Sequence, residues 1–119
     1  MNQFQKKVQL RNQLYSEYSK LLKSLLGLTD KQVLVLSKLF ELSDTTPLLT
    51  SLLCKNNRRE IMESCSINEC NLSTYLTLFK DKELLVWDGS RWIIFDKIKP
   101  YIVNNRLQVT FKIGLDDSI

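Results

Sequence analysis

The chain has 119 residues, of which 44% are hydrophobic and 25% charged, and its formal net charge is +4. That balance suits one globular domain with a modest core. No run of about 18 apolar residues occurs, so no membrane span is expected.

The opening stretch MNQFQKKVQLRNQLYSEY is polar and has helical spacing. It lacks the apolar centre and small-residue cleavage site of a signal peptide, so the expected location is the cytoplasm, or a soluble place in a larger particle within a host cytoplasm. A helix is predicted over residues 3–26. Phe4, Val8, Tyr15, Tyr18, Leu22 and Leu25 recur three and four apart, with Arg11 interrupting, and Leu14, Leu21 and Leu26 widen the stripe. Either this helix packs across the core or its N-terminal half meets another chain, with Phe4 and Val8 as contacts. The stripe is too short and broken for a coiled coil.

Gly27 can end that helix. Thr29 and Gln32 then form a T-x-x-Q capping box, with Leu28 and Val33 placed for a hydrophobic staple. The helix they open should run to Leu42 and be largely buried, because apolar residues cover most of its circumference. Ser43–Pro47 is a break, and Pro47 can open a short helix through Leu53. Asn56 or Asn57 would cap the next helix, RREIMESC. Ser66 makes a turn, and Asn68 caps a helix running to Lys82.

Leu84–Trp87 and Arg91–Phe95 are strands by composition. Two turns could join them, Asp88-Gly89 or Gly89-Ser90. The second is favoured because it pairs Trp87 with Trp92 and Val86 with Ile93. Past Pro100, the alternation from Arg106 to Leu115 predicts a half-buried strand of about ten residues. Tyr101–Val103 could form a hairpin with it through Asn104-Asn105.

There is no histidine, and Cys54, Cys65 and Cys70 follow no C-x-x-C spacing. A zinc site is therefore not expected, and Cys65 should pack as a small apolar residue. The commonest general base is missing, and no nucleophile elbow, phosphate loop or paired-carboxylate motif occurs. The expected chain is not an enzyme and uses no cofactor. The lack of alanine and the abundance of Leu, Lys, Asn, Ser and Ile fit an A/T-rich source genome.

The stretch Arg58–Phe95 resembles a winged helix-turn-helix domain. The likeness rests on Cys65-Ser66-Ile67-Asn68 at the turn, on Leu72, Leu76 and Phe79 along the second helix, and on the two strands that follow. The wider pattern is similar to small phage-encoded winged-helix proteins. The shared features are the LTDKQ helix start, the R-R-E-I helix, the N-x-x-x-Y-L helix and a late alternating strand. The implied fold is mainly α with a small β part. A long N-terminal helix (1–27) precedes the winged helix-turn-helix (28–99), and a C-terminal strand or hairpin (100–119) follows it. Such families often carry Gly where this chain has Ser66 and Glu83. A left-handed conformation at either residue would cost about 1 kcal/mol.

The resemblance implies binding of double-stranded DNA and a role as a phage-type transcription regulator. Asn71, Thr74 and Tyr75 would face base edges, since Asn can bond adenine and Thr can touch a thymine methyl. Lys55, Arg58, Arg59, Ser73, Thr77, Lys80, Lys82 and Arg91 would face phosphates. The charge distribution opposes this. Residues 1–27 hold five basic groups against Glu17, whereas residues 61–95 are net acidic at −2. The alternative is a protein-interaction or structural component of a phage particle or transcription assembly. It would use the N-terminal helix or the edge formed by Leu107, Val109 and Phe111, and homo-oligomers are included. That edge could instead close the domain's own sheet.

Overall fold

The computed structural model describes the backbone of residues 3–95, 101–103 and 106–108 and the side chains of residues 9–95. Among the described residues, four helices precede two short antiparallel strand pairs. The helices are α1 (Gln3–Leu26), α2 (Asp30–Thr45), α3 (Lys55–Cys65) and α4 (Glu69–Asp81). The strands are β1 (Leu85–Trp87), β2 (Trp92–Ile94), β3 (Tyr101–Val103) and β4 (Arg106–Gln108). The chain is thus mainly helical with a small β part.

Local chemistry sets the helix ends. At the start of α2, the Thr29 hydroxyl accepts from the Gln32 amide (3.2 Å) and the Gln32 side chain accepts from the Thr29 amide (2.9 Å). Leu28 and Val33 are both buried beside this box. Three helices end on a left-handed residue: Gly27 (φ +65), Ser66 (φ +53) and Glu83 (φ +62). After each, the next amide reaches back five residues, from Leu28 to Lys23, Ile67 to Met62 and Leu84 to Phe79. These are Schellman closures, and each is followed by an apolar residue turned inward.

The core gathers on α2. Val35, Leu36, Leu39 and Phe40 are almost wholly buried. Tyr15 stacks on Phe40 at 5.7 Å between ring centroids, and Tyr18 meets the same ring edge-on at 5.5 Å. Such aromatic pairs add about 0.5–1.5 kcal/mol beyond their burial. Ile61 and Cys65 of α3, Leu72, Leu76 and Phe79 of α4, and Leu84, Leu85 and Ile94 of the first hairpin complete the cluster. The Tyr15 hydroxyl donates to Asp44 Oδ2 at 2.6 Å, and burial pushes the Tyr15 phenol well above its ordinary range. Burial also pushes the Tyr18 phenol up to about 12.

Several expectations are corrected. Leu25 leaves the buried stripe of α1, and Leu34 stands exposed on α2. A repeat shorter than 3.6 residues drifts around the helix, which carries Leu25 off the packed face. α2 continues to Thr45, and Thr46 becomes extended, as a residue before proline prefers. Residues 47–53 form turns and no helix. The Leu52 amide donates instead to the Trp92 carbonyl at 3.0 Å, so this segment lies beside β2. Cys54, two or three residues before the expected Asn56 or Asn57, is the N-cap of α3. Asn57 lies inside α3 and donates to Thr46 Oγ1 (2.9 Å) and the Leu52 carbonyl (2.8 Å), fastening the loop before it.

The first hairpin has the favoured register, with Val86 opposite Ile93 and Trp87 opposite Trp92. Gly89, at φ +104, supplies the positive first turn residue. β3 and β4 pair antiparallel, with Ile102 opposite Leu107. The remainder of the expected long strand, including Val109 and Phe111, lies outside the described residues.

Candidate nucleic-acid interface

α4 divides lengthwise. Leu72, Leu76 and Phe79 are buried, while Asn71, Ser73, Thr74 and Thr77 are exposed on the other side. The Asn68 side chain accepts from the Asn71 amide at 2.8 Å, which fixes the helix start and leaves the Asn71 carboxamide free in solvent. Thr74 donates its hydroxyl to the Cys70 carbonyl (3.1 Å), and Thr77 donates to the Ser73 carbonyl (2.9 Å). Each hydroxyl, having donated its proton, still has acceptor capacity, and both residues are exposed. Tyr75 is half-buried and packs on the core. Asn71 and Thr74, two of the three residues expected to face bases, are therefore exposed on one side of α4, with Tyr75 at its margin.

The basic residues divide into two groups. At the start of α3, Lys55 and Arg59 are exposed and make no ion pair among the described residues. Arg58 lies half-buried between them, its Nε donating to the Leu53 carbonyl at 3.0 Å. These three side chains, Leu53, Met62 and Glu69 line a shallow groove between the beginnings of α3 and α4. Cys54 makes no side-chain capping bond, and the first turn of α3 holds no acidic residue. The positive end of the helix dipole is thus reinforced by cations, an arrangement that favours anions.

The second group is committed inside the molecule. Lys80 Nζ sits 4.2 Å above the Trp92 ring, and Trp87 meets Trp92 edge-on at 5.7 Å. Lys82 Nζ donates to the Leu26 carbonyl at 3.0 Å, capping the C-terminal end of α1. Arg91 Nε donates to Asp88 Oδ2 at 3.2 Å. The Asp88 carboxylate also accepts from the Ser90 and Arg91 amides, each at 2.9 Å. Those backbone bonds first, and Arg91 after them, hold its pKa down to about 2. Asp88 therefore organises the hairpin turn. The D-G-S-R string carries the signal, because Asp commonly bonds the amide two residues on.

The remaining expected contacts are placed as follows. Cys65 is buried in the core, and burial pushes its thiol up. Leu107 lies in β4, and its side chain is outside the described set, as are those of Phe4 and Val8. Among the described residues no helix is long and apolar enough to cross a membrane. No protein-family model, curated protein or solved structure matches the chain.

Proposed function

We propose that this chain is a winged-helix DNA-binding protein and acts as a small transcription regulator of phage type. The observation that carries the reading is the joint placement of three parts. α3 and α4 meet through the left-handed Ser66, the β1–β2 hairpin follows, and the Leu52–Trp92 bond ties that hairpin to the segment before α3. The polar face of α4 is exposed, Glu69 at its start shares a groove with the basic residues of α3, and α4 also packs on β1. Asn71 and Thr74 would enter the major groove. Lys55, Arg59 and the terminal nitrogens of Arg58 would hold phosphates at the uncapped end of α3. Lys80, Lys82 and Arg91 serve the fold in this reading.

Fluorescence anisotropy with duplex DNA across a salt series tests it. Three phosphate contacts predict a slope of log affinity against log salt of about −3, whereas all six cations would give about −5. Replacing Asn71 and Thr74 by Ala should relax sequence preference by about 1–3 kcal/mol per contacted base pair. Absence of duplex binding at low salt overturns the proposal.

A second reading, an interaction module within a phage particle or transcription assembly, draws on one observation. Leu48 and Leu49, at the turn after α2, are among the most exposed large apolar side chains described. A stable complex lost on Leu48→Ser with Leu49→Ser, in a protein that binds no duplex, would favour that reading.

A further inference from the structure

α1 carries a second apolar stripe, separate from its packed face. Leu10, Leu14, Leu21 and Leu25 fall within an arc of about 60° at 3.6 residues per turn. Tyr15, Tyr18 and Leu22, which are buried against the rest of the molecule, lie on the neighbouring arc. The second stripe is open: Leu10 is 37% exposed, Leu21 54% and Leu25 66%, and Leu14 is half-buried. Nothing in the described fold covers it.

The stripe is also symmetric in sequence. Leu10 and Leu25, and Leu14 and Leu21, are equidistant from the point between Glu17 and Tyr18. A twofold axis at that point would lay two copies of α1 antiparallel, Leu10 on Leu25 and Leu14 on Leu21 of the second copy. That reciprocity is what a closed twofold interface requires. Charge fits the same geometry. Glu17 and Lys20 lie on one flank of the stripe, both exposed, and neither makes an ion pair among the described residues. In the antiparallel pair the two Glu17 carboxylates approach each other across the axis, and each is flanked by the other copy's Lys20, about two residues off in register, so the two lysines neutralise the pair of carboxylates.

We infer that a second copy of this chain covers the stripe, forming an antiparallel α1–α1 dimer centred between Glu17 and Tyr18. Two helices meeting over this length bury about 1,000 Å² in total, the low end for specific association.

Light scattering and sedimentation equilibrium of the full chain test this without reference to DNA. The expected result is a mass that rises from monomer to dimer with concentration. Leu21→Glu should leave a monomer at about 100 µM with an unchanged helical circular dichroism spectrum, because the side chain is largely exposed. The charge pair gives a second test that leaves the apolar stripe intact. Glu17→Lys or Lys20→Glu alone should weaken the dimer about tenfold, and the two together should restore it. A monomer at every concentration overturns the inference. So does a dimer that survives Leu21→Glu, or one in which the double charge reversal fails to recover. An acidic helix from another protein as the true occupant would appear as the first of these outcomes.

Discussion

Ser66 and Glu83 hold left-handed backbone that glycine would adopt without a Cβ clash. Both close helices whose following residue, Ile67 or Leu84, is drawn toward the core. Packing of that residue maintains the conformation against its local cost. Ser66→Gly should therefore stabilise the protein only slightly, by up to about 0.5 kcal/mol, after the greater freedom of glycine in the unfolded chain is subtracted. Chemical denaturation of the variant beside Ser66→Ala measures this, with the alanine variant expected to show no gain. That Ser66 and Glu83 stand where a helix end favours glycine could be read from the sequence. That both residues nevertheless adopt the left-handed form depends on what Ile67 and Leu84 bury, which no local pattern states.

Among the elements, the first hairpin depends most on one side chain. Asp88 takes the place of its own carbonyl at the turn, accepting from the Arg91 amide, while its amide donates to the Arg91 carbonyl at 3.0 Å. Its folded pKa of about 2 lies below the ordinary aspartate value. A depressed carboxylate stabilises the folded state above its unfolded pKa and loses that contribution as pH falls through the folded one. Wild type should therefore melt above Asp88→Ala at neutral pH. The gap should narrow from about pH 4 and close near pH 2. Thermal melts across that range check the sign, and a gap that widens in acid would refute it. The register of this hairpin was legible in advance because Gly-Ser and the Trp87–Trp92 pairing both favour it. The segment 47–53 forms turns where Pro47 predicts a short helix. Pro47 is a local helix-start signal, but the Leu52 amide has a stronger use in bonding the Trp92 carbonyl.

Across the whole molecule, charge is redistributed by packing. Six lysines and arginines between Lys55 and Arg91 looked alike as phosphate contacts. In the fold, Lys80, Lys82 and Arg91 meet an indole ring, a helix terminus and a carboxylate, while Lys55 and Arg59 stay free beside the half-buried Arg58. Duplex affinity should accordingly survive Lys80→Ala, Lys82→Ala and Arg91→Ala together within about threefold. Lys55→Ala with Arg59→Ala should lower it about tenfold or more at low salt. Anisotropy titrations of both variants separate the groups, and the reverse order would return the binding face to the hairpin.

The sequence alone determined the elements whose signals are short-range. These are the capping box at Thr29, the N-cap at Asn68, the buried period along α4, and the turn chemistry at Gly89. Each is settled by residues within one or two helical turns, where hydrogen-bond geometry and backbone sterics act directly. Tertiary structure alone decided which cations remain available, which leucines of α1 stay exposed, and where residues 47–53 lie. Lys82 finds its carbonyl 56 residues away. Long side chains and loop amides take whatever partner the packed core brings near, and that proximity is created by burial of the apolar faces.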